Sequence, residues 1–558
     1  MANFYRDNPD IERVIDALGL EDVATLLEEN FRFVAEYDFA PKTAGEAVDN
    51  YKRALEVAGD IMGNRIAPTA EETDLTGNVL NADGSVTYAP GVKLALDLFT
   101  RAGLMGVQIP YRLEGLNMPC VVMTAINDIV SRADASLMNM VGLQGIAETI
   151  NMFADEEIKK EYVPKLVRGG WTGAMVLTEP DAGSDLQSVK TSAHLDENGV
   201  WRVNGVKRFI TNGCGEVLLV LARTEPEFSD GRGLSCLLVE RGPWVKVRRL
   251  ENKLGIHGSP TCELVFNEAP AKLIGSRKRG LITYVMALMN GARVGIAAQG
   301  VGIGEAAYRA AREYAASRKQ FGVTIDTFPA VRELLTDMSV DVQSARLLAY
   351  YCSKCVDLED GYKRVGERVK SKKYANFNKM LTPFAKYYAS EMSMRVANGA
   401  VAVLGGSGFM KDYPVERYLR DSRITTIYEG TSQLQVIAAV AGVTGGTVAQ
   451  VIADVFGKED WQGEHPRMTK LLAKLDEAVE FVKTRDKDYH DLSARRLVDA
   501  AITLVVTALL FKCGKDAALD YWMASRMPVA HAGLDTVLAG GALCLTAFTE
   551  LAPAVTEN

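Results

Sequence analysis

Histidine is scarce in this chain, with five among 558 residues. None of them (His194, His257, His465, His490, His531) stands at a metal-site spacing such as HExxH, and no metal site is expected. Cysteine carries no pattern either: there are eight, and Cys352-x-x-Cys355 lacks the second pair a zinc site needs. Without regular spacing or a secretion signal these read as reduced thiols in the cytoplasm. Positive charge is not in excess. The formal net charge is -8, which argues against a general nucleic-acid binder, because no basic surplus exists to neutralise phosphates.

Long apolar runs are missing as well. The N-terminal MANFYRDNPDIERV is charged from its start and has no apolar signal core. The longest apolar run, Ala500–Phe511, is well short of the ~20 residues a membrane-spanning helix needs and reads as a buried helix. No transmembrane segment is expected. There is no GxSxG elbow, so hydrolase chemistry is not supported, and no internal repeat or low-complexity tract.

What is present is a globular composition, 48% hydrophobic and 24% charged, in a chain long enough for two to four packed units. Residues 1–170 read mostly as helix, as at Val48–Ile66, Val92–Ala102 and Met118–Ala133, with a helix start at Asp155. From 171 to 275 the period switches to short β-prone runs, and Asn204-Gly205 between VWRV and VKRFI signals a hairpin. Helical periodicity returns over 276–445, punctuated by Pro329, Pro383 and Pro414, and GVTGG at Gly442–Gly446 marks a boundary before a further helical unit, 446–558. The expected class is α+β, mainly α.

Gly300-Val301-Gly302-Ile303-Gly304 resembles a dinucleotide loop, but no strand precedes it, and the glycines read as a close helix contact. The basic stretch Lys363–Lys379 reads as a solvated face or loop. Two segments carry chemistry. In Thr178-Glu179-Pro180-Asp181-Ala182-Gly183-Ser184-Asp185, two hydroxyls and a glycine turn suit a polar ring edge and a phosphate. In Ile427-Tyr428-Glu429-Gly430-Thr431-Ser432-Gln433 a carboxylate sits among apolar neighbours, where burial would raise its pKa and make it a proton acceptor.

Together with other segments in the same order, these two resemble the signatures of the acyl-CoA dehydrogenase family, specifically its longer bacterial subgroup. The resemblance runs from about Tyr51 to Ala441. It includes Gly106–Pro110, Arg132–Ser136, Tyr162–Leu166, Asn204–Asn212, Arg318–Gly322, Leu404–Phe409, Tyr413–Glu416 and Arg420-Asp421. It implies a helical N-terminal domain, a middle β domain and a helical bundle, here with a helical extension that covers a surface shorter members use to form tetramers.

The resemblance also implies FAD as cofactor. Met175, Leu177 and Thr178 would lie along the flavin, Ser184 near phosphate, Phe209 over one ring face and Thr211 at its edge. Arg318 and Phe321 would reach the adenosine half across a subunit interface, Gly405 and Gly406 the pyrophosphate, and Thr431 and Gln433 would complete the nucleotide site. Ser184, Asn290, Arg293, Tyr428 and Gly430 would contact acyl-CoA, and Glu429 would be the catalytic base. The implied reaction is α-proton abstraction and β-hydride transfer to flavin N5, giving a 2-enoyl-CoA in the manner of β-oxidation. The Glu429 N–H and an FAD hydroxyl would hold the thioester oxygen. Electrons would pass to electron-transfer flavoprotein, in a homo-oligomer (dimer or tetramer).

Ala292 stands where some members carry the base, leaving Glu429 at the other position. Pro329 and Ala402 replace glutamines that commonly contact FAD, and His257 replaces a frequent arginine. Leu137, Met138 and Met140 are expected along the acyl tunnel; the acyl group itself stays open. Rival readings are an acyl-CoA oxidase of the same fold and a non-catalytic acyl-CoA- or protein-binding scaffold.

Overall fold

The computed structural model describes residues 2–142, 144–514 and 516–554. The N-terminal part is helical: α1 (Ala44–Asp60), α2 (Cys120–Ala133), α3 (Ala135–Val141), α4 (Gln144–Phe153) and α5 (Glu156–Val167), with further helices that include Pro9–Leu18 and Pro90–Arg101. Helix α1 starts at Thr43, whose hydroxyl accepts from the Glu46 N–H while the Glu46 carboxylate accepts from the Lys42 N–H, a reciprocal cap. One small antiparallel pair, Val79–Leu80 with Val86–Thr87, interrupts the helices.

The β domain has seven strands: β1 (Gly173–Val176), β2 (Ser192–Leu195), β3 (Trp201–Thr211), β4 (Val217–Arg223), β5 (Leu234–Glu240), β6 (Val245–Leu250) and β7 (Thr261–Leu273). Strand β4 pairs with β5, β5 with β7, β7 with β3, β3 with β2, and β2 returns to β4 through Ser192 and Arg223. The ring is therefore closed through that one contact, while β1 pairs only with β4 and β6 only with β7. Val203, Ile210, Val220, Leu237 and Leu264 fill its interior.

The hairpin expected at Asn204-Gly205 does not form. The chain runs through as one strand, β3, with a register shift against β7 between Val203 and Gly205. Gly205 takes φ +146°, an extended glycine-only conformation that makes a bulge where a tight turn would need the left-handed region. A Cβ there would lie 2.5 Å from the Thr191 hydroxyl, so the glycine serves a close approach of backbones. The reversal comes earlier, at Asp196–Gly199, where the Asp196 carboxylate accepts from the Asn198 and Val200 N–H groups.

The helical bundle is built on α6 (Met286–Ser317), α7 (Pro329–Arg364) and α8 (Arg368–Leu404), with α9 (Val415–Thr425) and α10 (Ser432–Thr444) closing one side. Gly300 lets α6 lie against α8: a Cβ there would come 2.6 Å from the main-chain oxygen of Ala389. Pro329 opens α7 and Pro414 caps α9, but Pro383 sits inside α8 without ending it. Its buried face packs against neighbouring helices, and that packing outweighs the lost N–H and the ring clash. Lys363–Lys379 is exposed over most of its length, yet it is helical except for the short turn at 365–367. Gly280–Ser317 is long and apolar enough by composition to cross a membrane, but its α6 segment packs against α2, α7 and α8 as the central helix of the bundle.

Gly446, at φ +77°, turns the chain by 80° from α10 into α11 (Thr447–Phe456). Helices α12 (Pro466–Lys483), α13 (Lys487–Lys512) and α14 (Asp516–Leu538) follow. The apolar run within α13 is buried, as its composition requires.

Candidate active site

A cavity of about 2120 Å³ opens between the β barrel and the bundle. Met175, Leu177, Thr178, Ser184, Phe209 and Thr211 line its β wall. Asn290, Arg293, Tyr428, Glu429, Gly430 and Thr431 line the helical wall. Two sequence segments some 250 residues apart thus face one space. Met138 also lines it, whereas Leu137 and Met140 point into the hydrophobic core, because α3 presents only one face to the cavity.

The β wall is held from behind by a buried ion pair. Lys207 on β3 lies 3.0 Å from Glu179 and donates to the Leu177 carbonyl at 2.7 Å. The Glu179 carboxylate also accepts from the Lys190 and Thr191 N–H groups. Burial pushes Glu179 up, but Lys207 and these N–H groups outweigh it and hold the carboxyl below its ordinary value. Glu179 therefore fixes the loop, while Thr178 and Ser184 are left facing the cavity. A second register shift in β3, between Lys207 and Ile210, turns Phe209 out of the ladder at φ +62°. Its ring is 52% exposed, with the Arg208 guanidinium 4.6 Å from its centre.

Glu429 stands in the turn between α9 and α10, at φ +54°, followed by Gly430 at φ +90°. Thr431 caps α10, accepting from the Leu434 N–H at 3.3 Å. Tyr428 donates to Asn139 at 3.1 Å and also bonds Gln299, which anchors the turn to α3 and α6. Arg293 donates to the Glu429 carbonyl and, through Nη1, to Asn290. Glu429 is partly buried where it lines the cavity. Burial pushes its carboxyl up to about 7, with Arg293 and Lys386 partly offsetting the rise. A carboxyl there is half ionised near neutrality, which suits a general base.

Arg318, Phe321, Gly405, Gly406 and Gln433 do not line this cavity. Phe321 is 94% exposed at the tip of the strand pair Lys319–Gln320 and Val323–Thr324, and Gly405 has open space around it. Sequence reasoning missed Lys386, Gln435, Gln299 and Asn139, all of which bond the Tyr428–Gly430 turn. Only Lys386 left a signal, a lysine among the apolar residues of α8. His257 joins the domains: its ring nitrogens bond the carbonyls of Asp74 and Lys253, both at 2.9 Å.

The chain matches the family models for the acyl-CoA dehydrogenase N-terminal domain over 49–170, middle domain over 174–269 and C-terminal domain over 279–443. A further model, acyl-CoA dehydrogenase C terminal, matches 444–531. The chain belongs to the acyl-CoA dehydrogenase family. Its class is therefore that of a flavoprotein oxidoreductase. An acyl-CoA dehydrogenase of Bacillus subtilis (strain 168) is 38% identical over 354 residues, 62% of this chain and 88% of the relative. The 3-methylmercaptopropionyl-CoA dehydrogenase of Ruegeria pomeroyi is 33% identical over 446 residues, 74% of each chain. In fold, the chain is similar to a solved acyl-CoA dehydrogenase complexed with FAD from Bacillus anthracis. That match has a TM-score of 0.74 at 22% identity and covers 91% of this chain and 92% of the other. It extends through much of the region beyond Gly446, so the added helices are part of a known variant of the fold.

Proposed function

We propose that this protein is an FAD-dependent acyl-CoA dehydrogenase in which Glu429 takes the α-proton of an acyl-CoA thioester, giving a 2-enoyl-CoA. The observation that carries the reading is the Glu429 turn: a carboxyl raised to about 7, lining a large cavity, with its backbone fixed in a left-handed form.

The residues present fit the flavin. Phe209 offers an exposed ring on a bulge, Thr178 and Thr211 bring hydroxyls to the same wall, and a Cβ on Gly183 would meet nothing closer than 3.9 Å. Met175, Leu177, Thr178, Phe209 and Thr211 would hold the ring system and Ser184 a phosphate. When bound, the flavin supplies the acceptor for the hydride that leaves the β-carbon. Glu429 holds the α-proton afterwards. Its main-chain N–H is assigned to the thioester oxygen, where it steadies developing negative charge. Asn290, which accepts from Arg293, and Arg293, which also bonds the turn, orient the acyl-CoA against Glu429.

Arg318, Phe321, Gly405, Gly406 and Gln433 we assign to a site completed by a second copy of the chain, since each is exposed in one chain alone. Electron-transfer flavoprotein is the proposed acceptor.

The test is anaerobic titration of the yellow protein with butyryl-, octanoyl- and 3-methylmercaptopropionyl-CoA, read as bleaching of the flavin. At least one should bleach it. Glu429→Gln should retain FAD and lose the rate by ~10²–10⁴-fold or more. Near-native bleaching by that variant would remove Glu429 as base. Mixing the reduced enzyme with air or with oxidised electron-transfer flavoprotein then separates dehydrogenase from oxidase: peroxide at the turnover rate means the latter.

A further inference from the structure

We propose that Lys386 is a positioning residue for Glu429, holding the Glu429–Gly430 turn in its left-handed form through the Gly430 carbonyl. The proposal rests on the reading of Glu429 as base and adds to it what keeps that base aimed.

A non-glycine residue at positive φ persists only where its surroundings fix it. Here three side chains fix two consecutive carbonyls. The Lys386 ammonium donates to the Gly430 oxygen at 2.7 Å. Gln435 donates to the Glu429 oxygen at 3.1 Å and to the Gly430 oxygen at 3.0 Å. Arg293 donates to the Glu429 oxygen at 3.3 Å. The amide of Gln435 comes so close that a Cβ at residue 430 would lie 2.7 Å from it, which explains the glycine there.

Lys386 has no exposed surface at all. An ammonium in such a place is costly, and a position required only for packing would carry an apolar side chain. Its hydrogen-bond partner is main chain of the catalytic turn, and the charged groups that face it are Glu429, Arg293 and Glu391. Glu391 is fixed in turn by the Ser432 hydroxyl at 2.5 Å, at the start of α10. The cation thus sits behind the turn, among its carbonyls and two carboxylates, where it does two things. It satisfies a carbonyl that the left-handed turn directs inward, and its charge opposes the burial that drives Glu429 toward its neutral form. Burial brings Lys386 itself down to about 7, so its charge is held on a margin that small changes in the turn would shift.

The test uses FAD-loaded full-length protein and whichever thioester of the panel above bleaches the wild type fastest. Lys386→Met should retain FAD and bind the thioester with a KM within a few-fold of wild type. Its maximal rate of flavin reduction should fall roughly 10- to 100-fold, the loss expected for a reacting group misplaced by about an ångström. The acid limb of its pH profile should move to higher pH, because a cation beside the base is gone. Gln435→Leu, which removes donors without changing charge, should lower the rate and leave the acid limb in place. Should Lys386→Met fail to fold, Lys386→Leu removes donor and charge alike and is read the same way. A native rate, or a lowered rate with an unmoved acid limb, overturns the proposal. Glu429→Gln run alongside keeps the two readings apart: if that variant retains its rate, the base assignment fails instead.

Discussion

The guanidinium of Arg293 donates to the main-chain oxygen of Glu429 at 3.3 Å, so the central helix of the bundle grips the very residue whose carboxyl its charge also influences. Burial raises that carboxyl to about 7, and Arg293 opposes the rise more than Lys386 does. If Glu429 is the base it works ionised, and flavin reduction by wild-type protein should then fall as pH drops through about 7. Arg293→Gln removes the cation, raises the carboxyl further and should shift the acid limb upward, lowering the rate most at neutral pH. Single-turnover bleaching from pH 5.5 to about 9 measures both. A limb that stays in place in the variant rules out this electrostatic role.

Phe209 owes its exposure to the bulge between Lys207 and Ile210. A ring pushed into a cavity by backbone geometry waits for a flat partner. Phe209→Ala should leave the barrel intact and weaken FAD binding by about 0.5–1.5 kcal/mol or more, roughly 2- to 10-fold. Fluorescence titration of apoprotein with FAD reads this directly, and an unchanged affinity would remove Phe209 from the flavin face.

Deep in the bundle, Arg346 on α7 donates to Asp128 on α2 at 2.7 Å and to Glu305 on α6 at 2.9 Å, all three buried. Burial pushes Glu305 up, but Arg346 and Arg309 outweigh it and bring its carboxyl down to about 2. A carboxyl depressed in the folded state adds stability that is fully present above its unfolded value of about 4.3 and lost as pH falls through the folded one. Urea midpoints should therefore decline between about pH 5 and pH 2. Arg346→Met at pH 7 strips buried Asp128 of its cation and leaves Glu305 with Arg309 alone, and should cost about 3–5 kcal/mol. A variant with the wild-type midpoint would show that the cluster carries no net stability.

The order of helical, β and helical regions was legible because hydrophobic periodicity switches twice along the chain and each switch is sustained over many residues. The Glu429 segment stands out as a carboxylate between Tyr428 and Gly430 in apolar surroundings, but that pattern alone fits an exposed loop as well, and it is the resemblance of several segments in order that singles Glu429 out. Asn204-Gly205 misled because the dipeptide favours a hairpin locally, while the long pairing of β3 with β7 favours a bulge. Pro383 misled in the same way: tertiary packing overrode a local preference. Lys386 and Gln299 were out of reach because their partners lie 44 residues ahead and 129 residues ahead in the chain, and no local pattern encodes such a meeting.

The helices beyond Gly446 pack against the bundle behind the Glu429 turn. Tyr387, the neighbour of Lys386, donates to Asp499 on α13 at 3.0 Å. Trp522 on α14, 1% exposed, packs edge-on against Tyr388 with ring centres 6.1 Å apart and donates to the Thr507 hydroxyl at 3.2 Å. Arg526 donates to Asp337 and Asp341 on α7 at 2.8 and 3.1 Å. Helix α10, which begins just past the Glu429 turn, buries Val436, Ala439, Val440 and Val443 and packs against α13. Removing 447–558 strips these faces of their cover and exposes a contiguous apolar surface. The truncated chain should aggregate or change its oligomeric state, with a lower melting temperature and less bound FAD. The milder Trp522→Ala should cost about 3–5 kcal/mol while leaving the cavity lining untouched. Size-exclusion chromatography, flavin content and thermal melts decide it. A truncated protein that stays soluble, keeps its FAD and melts as the full chain does would mean that α11 to α14 are dispensable to the bundle, and that the contacts with Tyr387 and Tyr388 do not reach the Glu429 turn.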